Sequence, residues 1–151
     1  ELNKSYIPYV IETSIGLDRM FLAIMCNSYK EEEIHDNEKR IVLSIPQFLA
    51  PIKLAILPLT KKDGLSEKAK KIFNDLKLEF NCCYEEKDSI GKRYRRQDAI
   101  GTPFCLTIDH QTLEDDTCTL RYRDKMNQKR VKIKEVFEII NKEVNLKNFI
   151  V

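Results

Sequence analysis

Residues 52–59, Ile-Lys-Leu-Ala-Ile-Leu-Pro-Leu, form a nearly continuous apolar run that constrains the fold more than any other segment. Such a run is typical of a central strand in a parallel sheet, where helices cover both faces. Residues 80–84 and 103–109 predict two further strands. Residues 66–76, capped by Ser66, and residues 89–100 predict helices between them. This alternation favours right-handed crossovers and a parallel core sheet.

The chain beyond residue 109 predicts an antiparallel edge and a last helix. In residues 117–123, Cys118, Leu120 and Tyr122 alternate with polar residues, and a second short strand follows a turn. Residues 133–144 then repeat apolar side chains at helical spacing. The sequence therefore predicts an α/β fold in which a five-stranded mixed sheet is flanked by three helices.

Residues 1–50 do not continue this alternation. Residues 6–12 predict a short strand, and residues 17–29 predict a helix. The charged residues 30–40 predict an exposed loop or a frayed helix end, and the next ten predict a crossing between structural units. Because a lone strand and helix cannot bury their own apolar face, we expect the first 50 residues to be the remnant of a neighbouring domain. Residues 51–151 are then a complete domain, and the absence of an initial Met agrees with a piece of a longer polypeptide.

Composition limits the classes of function. The 151 residues include 26 Lys and Arg against 24 Asp and Glu, so the net charge of +2 does not by itself indicate a nucleic-acid binder. No apolar run approaches the roughly 20 residues of a membrane span, so no membrane partner is predicted. The five scattered Cys include no C-x-x-C pair, which favours a reducing, cytoplasmic compartment and no zinc site. His35 and His110 lie far apart in polar segments and receive no catalytic role.

The first candidate motif joins the predicted strand at residues 6–12 to the next helix. Glu12 and Arg19 flank Gly16 at a helix N-terminus, where free backbone N–H groups favour anions. Arg19 could contact a phosphate through two N–H groups, and Glu12 could receive an ammonium group. The alternative is that Glu12 caps the helix, Gly16 permits a turn and Arg19 is a solvated surface cation. Spacing alone favours that alternative.

The second candidate motif is the basic stretch at residues 91–98, which places four cations around Tyr94. Cations can contact RNA phosphates, and an aromatic ring can stack on an unpaired base. The alternative is a solvated helix face whose cations pair with the nearby Glu85, Glu86 and Asp88. The residues by themselves leave both interpretations open.

The polar face of the predicted edge hairpin supports the nucleic-acid interpretation. That face carries Arg121, Arg123, Arg130 and Lys132. If it adjoins the basic helix, the two form one cationic surface on a nearly neutral protein. The alternative is an ordinary charged edge that protects the sheet from aggregation.

These motifs together resemble a known family. Residues 8–19, Pro-Tyr-Val-Ile-Glu-Thr-Ser-Ile-Gly-Leu-Asp-Arg, resemble motif 3 of the class II aminoacyl-tRNA synthetases, in the form of the homodimeric glycyl-tRNA synthetases. Residues 50–53, 89–105, 112–115 and 121–131 resemble the C-terminal anticodon-binding domain of the same enzymes. The resemblance covers nearly the whole chain, and it implies a five-stranded mixed sheet with flanking helices.

The resemblance also implies roles for particular residues. The glycine pocket would include Glu12, Thr13, Ser14, Ile15 and Gly16, with Glu12 receiving the amino group of glycine. The ATP side would include Gly16, Leu17, Asp18 and Arg19, with Arg19 contacting the phosphates and Mg²⁺ expected in the whole enzyme. Thr13 stands where the family usually has Pro. No catalytic residue or metal ligand is assigned. On physical grounds, the predicted tRNA contacts are Arg93, Arg96, Asp98, Arg121 and Arg123.

The leading hypothesis is that the chain is a C-terminal fragment that binds the anticodon region of tRNA. The whole enzyme would be a homodimer that ligates glycine to its tRNA using ATP. Motifs 1 and 2 of the class have no counterpart in the chain, so it is predicted to be inactive alone and to bind no cofactor. The alternative is a non-catalytic interaction or dimerisation module, as in polymerase accessory subunits, although the intact Glu12, Ser14 and Arg19 argue against it. A free-standing small enzyme would need a nucleophile and base, and none is apparent.

Overall fold

The computed structural model describes residues 4–34 and 38–149, so His35 lies outside the described residues. In chain order the elements are α1 (Leu17–Ser28), β1 (Tyr29–Ile34), β2 (Glu38–Leu43), β3 (Leu54–Pro58), α2 (Leu65–Leu76), β4 (Cys82–Tyr84), α3 (Ile90–Ile100), β5 (Phe104–Ile108), α4 (His110–Asp115), β6 (Thr117–Tyr122), β7 (Gln128–Lys132) and α5 (Ile133–Val144). A short 3₁₀ turn, Leu146–Asn148, follows. None of the helices in these ranges is long and apolar enough to cross a membrane.

The predicted five-stranded mixed sheet is confirmed. Its strand order is β4-β3-β5-β6-β7. Strand β3 pairs in parallel with β4 and β5, whereas β6 pairs antiparallel with both β5 and β7. All five residues of β3 are buried, as the apolar run from Leu54 to Pro58 predicts for a central strand.

Helices cover the sheet on both faces, which is why the central strands carry apolar residues on both sides. The larger core cluster joins Leu54 and Ile56 of β3 to Ala69 of α2 and Ile140 of α5. The smaller cluster lies on the opposite face, where Ala55, Leu57 and Cys105 contact Ile90 and Tyr94 of α3. Helix α3 is therefore separated from α2 and α5 by the sheet.

The predicted helices are confirmed as α2, α3 and α5, and α4 is an additional short helix. Helix α4 begins at a capping box, in which the Asp109 carboxylate accepts from the Thr112 N–H and the Thr112 hydroxyl interacts with the Asp109 backbone N–H. The prediction that Ser66 caps α2 is wrong. The cap position is Gly64, in the left-handed conformation, and the Ser66 hydroxyl instead donates to Glu86 at 3.1 Å.

The prediction of a strand at residues 6–12 is wrong. Residues 4–16 have no regular secondary structure, and side chains such as Tyr9 and Ile11 are fully exposed. A strand requires a neighbour that satisfies its backbone hydrogen bonds, and no described segment pairs with this one. The following helix is confirmed as α1, although its apolar residues, including Leu17 and Phe21, are mostly exposed.

The prediction of a charged loop at residues 30–40 is also wrong. Strands β1 and β2 form an antiparallel hairpin in which Glu32 lies opposite Arg40 and Glu31 opposite Ile41. Alternate residues of β2, Arg40 and Val42, are buried, and β2 packs against α3. The charged sequence of residues 30–40 suggests full exposure to solvent, yet β2 has one buried face. The predicted domain boundary at residue 50 stays a prediction, and this hairpin on its N-terminal side contacts α3 directly.

Candidate nucleic-acid interface

Helix α3 carries the basic motif and presents two different faces. Ser89 occupies its N-cap, and Gly101 ends it in the left-handed conformation with φ of 86°. Ile90 and Tyr94 face the sheet. The outer face, which is exposed, carries Lys92, Arg95, Arg96 and Ala99.

Arg93 belongs to the inner face of α3 and holds the ends of two strands. Its side chain is only 2% exposed. The guanidinium donates to the backbone carbonyls of Pro58 at 2.7 Å, Glu85 at 3.1 Å and Leu59 at 3.3 Å. Burial lowers the pKa of this arginine, although Glu85 opposes that effect. Arg93 therefore satisfies carbonyls at the carboxyl ends of β3 and β4 that would otherwise lack a partner.

Asp98 is the centre of a buried network of charges. It accepts from Arg121 at 2.8 and 2.9 Å, through both carboxylate oxygens, and from Arg40 Nε at 2.9 Å. Arg40 also donates to Glu32 at 2.7 Å. This network joins α3 to β6 and to the β1–β2 hairpin. Arg40 and Glu32 are not among the site residues predicted from the sequence, because the charges of residues 30–40 follow no period that separates a buried face from an exposed one.

Arg123 and Tyr94 are also used within the domain. Arg123 donates to the carbonyls of Gly101 at 2.7 Å and Ile45 at 2.8 Å. The Arg121 guanidinium lies 4.6 Å from the centroid of the Tyr94 ring, and the Tyr94 hydroxyl lies 2.5 Å from Thr107 Oγ1. Tyr94 therefore stacks with an arginine of its own domain rather than presenting its ring to a base.

Four of the five predicted tRNA contacts are side chains of the interior. Arg93, Asp98, Arg121 and Arg123 are between 1% and 5% exposed. Their placement argues against direct contact with RNA and gives them a structural role. Local sequence makes an arginine appear to be a surface cation, whereas here partners distant in sequence satisfy its N–H groups. The predicted cationic surface is accordingly not formed at Arg121 and Arg123.

Arg96 is the predicted contact that stays at the surface. Its side chain is 42% exposed and is held by Asp88 at 2.8 Å, by Glu85 and by the Lys87 carbonyl at 2.9 Å. It lies between two shallow grooves, one of about 370 Å³ against β4 and one of about 270 Å³ against β2. The grooves also include Tyr84, Gln97, Ala99 and Ile100 on the β4 side and Lys39, Ile41 and Arg95 on the β2 side.

The alternative interpretation of the basic stretch is thus partly correct, because Arg96 pairs with acidic neighbours. Such exposed pairs contribute little to stability and exchange readily with water and other ions. The acidic partners hold the guanidinium at the mouth of both grooves. The arrangement can bind a phosphate with the arginine while a base lies in the adjoining groove.

The segment that resembles motif 3 is exposed throughout. Glu12, Thr13, Ser14, Ile15 and Gly16 lie in extended chain, and Leu17, Asp18 and Arg19 begin α1. No ion pair within 4 Å joins Glu12 or Arg19 to another residue in the described ranges. These residues do not enclose a pocket here, so their assignment to glycine and ATP stays a prediction. The described ranges also hold no group of three or more His, Cys, Asp or Glu placed to ligate a metal.

The cysteines are structural rather than reactive, apart from the exposed Cys26. Cys82 and Cys83 contact opposite core clusters, as their adjacent places on a strand predict. Burial raises the pKa of the Cys82 thiol to about 12 and that of Cys83 to about 11. Thiols with such values carry almost no thiolate at neutral pH, so they are poor nucleophiles.

Comparison with known proteins gives this surface its context. Residues 53–143 match the family described as anticodon binding domain. A glycine–tRNA ligase of Borreliella burgdorferi is 50% identical over 141 residues, which are 93% of this chain and 32% of the relative. One from Clostridium acetobutylicum is 51% identical over 142 residues, or 94% of this chain and 30% of the relative. The chain thus spans about a third of the length of the curated relatives it matches.

A solved structure agrees with the fold. The RNA binding domain of threonyl-tRNA synthetase from Cryptosporidium parvum Iowa II superposes with a TM-score of 0.60 at 20% identity. The superposition covers 66% of this chain and 25% of that chain. At this identity the likeness concerns the fold alone, and it agrees with the five-stranded sheet and its helices. The chain therefore belongs to the anticodon binding domain family, in the form that glycine–tRNA ligases carry.

Proposed function

We propose that this chain binds the anticodon region of a tRNA through the exposed face of α3. We also propose that the whole protein is a homodimeric enzyme that joins glycine to that tRNA using ATP. The family match over residues 53–143 supports the first proposal. The relatives near 50% identity, each a glycine–tRNA ligase, support the second.

The observation that carries the RNA proposal is the position of Arg96. It is exposed between two grooves, on a helix that Arg93 and Asp98 fix to the rest of the domain from its inner face. A rigid helix presents an arginine in one geometry, which reduces the conformational entropy lost on binding. Anticodon bases are unpaired, so they can enter shallow grooves that a duplex cannot.

The glycine and ATP roles rest on residues 12–19. Arg19 lies in the first turn of α1, a helix of 12 residues, so its guanidinium and the free N–H groups of that turn can hold phosphate oxygens together. Glu12 can pair with the ammonium group of glycine. ATP would supply the adenylyl group that activates the carboxylate of glycine, with pyrophosphate as the leaving group and Mg²⁺ as counter-ion. Because these side chains are exposed and enclose no pocket in this chain, the 151 residues alone are expected to be inactive.

The experiment is a titration of the chain with two tRNAs, one with a glycine anticodon and one with a scrambled anticodon, followed by fluorescence anisotropy. We expect tighter binding of the glycine anticodon. The charge reversal Arg96→Glu should weaken binding at least tenfold, whereas Lys77→Glu, on the opposite layer, should change it little. Equal affinity for both tRNAs, or none at low salt, would contradict anticodon binding and favour an interaction module.

A separate assay tests the expected inactivity. Glycine-dependent exchange between ATP and pyrophosphate should be absent with this chain and present with the full-length protein. Exchange by the 151 residues alone would contradict the proposal that glycine activation requires the rest of the enzyme.

A further inference from the structure

A second cleft lies on the other layer of the domain, between α2 and the start of α5. It has a volume of about 590 Å³, and Ile72 and Ile133 contribute its apolar lining. Four lysines and three aspartates complete the lining: Lys68, Lys71, Lys132, Lys134, Asp75, Asp115 and Asp116. Neither the basic motif nor the grooves beside Arg96 include any of these residues.

We call this the lysine cleft. Two of the three aspartates that line it already have hydrogen-bond or ion-pair partners. Asp116 pairs with Lys68 at 2.5 Å. Asp115 accepts from the Thr117 N–H at 2.9 Å and from Gln111 at 2.9 Å, and Arg130 lies 4.0 Å from it. These contacts lower the pKa of Asp115, chiefly through the Thr117 hydroxyl, so it stays ionised and satisfied.

The remaining lysines of the cleft are not neutralised in this way. Lys71, Lys132 and Lys134 are exposed, and no acidic group within the described residues lies within 4 Å of their ammonium groups. Hydrogen bonds from neutral groups leave the negative charge of Asp115 in place, so four lysines face three carboxylates and the net charge of the lining is +1. The lysine cleft therefore has a surplus of positive charge around an apolar floor.

The cleft opens at the same edge of the sheet as the start of α3. Strands β5 and β7 are both antiparallel to β6, so they run parallel to each other. Strand β3 pairs in parallel with β5, so it has the same direction. Lys132, the last residue of β7, thus lies at the carboxyl edge. Helix α3 also begins at that edge, just after β4, and Lys92 lies in its first turn. One ligand can reach both the lysine cleft and α3 around this edge.

We propose that the lysine cleft binds the phosphodiester backbone of the same RNA whose unpaired bases contact α3. The inference rests on the proposed function. Lysine ammonium groups are compact point charges that suit phosphates without a fixed geometry. The cleft lining has no aromatic ring or arginine fork for a base edge, so it holds the RNA without distinguishing its sequence.

The test compares two double variants with the same change in net charge. Lys71→Gln with Lys132→Gln removes two cations of the cleft, and Lys77→Gln with Lys147→Gln removes two exposed cations outside it. Affinity for tRNA is measured by fluorescence anisotropy over a series of KCl concentrations. The slope of log K against log salt should become shallower by about 0.7 to 0.9 for each lysine in the cleft variant only. The loss of affinity should be equal for glycine and scrambled anticodons.

The outcomes separate this inference from the proposed function. If the cleft variant and its control have the same slope while Arg96→Glu still weakens binding, the lysine cleft is not a phosphate site and anticodon binding stands. If the wild-type chain binds no tRNA at any salt concentration, both are wrong. Unchanged melting temperatures of the double variants would show that the fold is intact, as expected for exposed lysines.

Discussion

Asp98 is a charged residue that belongs to the core. It is 1% exposed, yet both its oxygens accept charge-assisted hydrogen bonds from Arg121, and Arg40 supplies a third. A buried carboxylate is tolerated only when such partners replace its hydration. Asp98 was predicted from the sequence to contact RNA. It instead fixes α3, the helix that carries the exposed Arg96, to β6 and β2.

Gly91 and Gly101, at the two ends of α3, should respond differently to substitution by alanine. Gly101→Ala should lower the free energy of unfolding by about 1–2 kcal/mol or more, because φ of 86° strains an alanine. The new Cβ would also lie 3.0 Å from the Ile45 side chain and from the Leu43 carbonyl. Chemical denaturation measures the change.

Gly91→Ala is the matched control. Its Cβ would meet nothing within 4 Å, and the residue lies within the helix. Stability should rise by up to about 0.5–1 kcal/mol, since alanine loses less backbone entropy than glycine. Equal destabilisation by the two substitutions would contradict the assignment of strain to Gly101.

Helix α4 shows how a single carboxylate can serve two elements. Asp109 caps α4 through Thr112 at 3.1 Å and pairs with Arg130 of β7 at 2.9 Å. These contacts, with Arg130 the largest, hold the pKa of Asp109 below its usual range, although partial burial opposes them. A six-residue helix has little intrinsic stability, so its start depends on such contacts.

The pH dependence of stability tests the pair between the Asp109 carboxylate and Arg130. Because the folded pKa of Asp109 is lower than the unfolded value, its contribution is fully present above about pH 4 and is lost as the pH falls further. Asp109→Asn keeps a side chain that can cap α4 but removes the charge paired with Arg130, so it should cost up to about 1 kcal/mol at pH 7 and much less at pH 3. Urea denaturation at both values measures the difference. A cost that does not change with pH would contradict a role for the ionised carboxylate.

At the scale of the whole molecule, the β1–β2 hairpin and the anticodon binding domain form one packed unit. The family match begins at residue 53, whereas Arg40 of β2 reaches Asp98 on α3 and Ser44 reaches Asp124 at 3.0 Å. Helix α1 therefore leads directly into a hairpin that contacts α3.

Arg40→Met tests this connection. It removes charge-assisted hydrogen bonds from a buried network, so the free energy of unfolding should fall by about 1.5–3 kcal/mol. Amide hydrogen exchange in β2 should accelerate more than exchange in β5. Lys39→Met is the control, since its exposed pair with Glu31 spans 3.6 Å and should contribute less than about 1 kcal/mol. Unchanged exchange in β2 of Arg40→Met would show that the network does not hold the hairpin.

Much of the architecture follows from apolar periodicity. Strands β3 and β5 are apolar on both faces because helices cover both, and α2 and α5 repeat apolar residues at helical spacing. Those signals are local, so they are visible in a single sequence. The strand predicted at residues 6–12 was wrong because strand formation depends on a partner, which no local pattern reports.

The sequence by itself determined the order of elements in the sheet domain and the resemblance to the synthetase family. Only the tertiary structure decided which charges are available to a ligand. Arg93, Arg121 and Arg123 are buried because carbonyls and carboxylates that folding brings near accept from most of their N–H groups, although the Nε of Arg93 has no partner among the described residues. Arg96 and the lysine cleft remain at the surface. A charge is buried or exposed according to the partners that folding brings to it, and those partners are set by the packing of the whole chain.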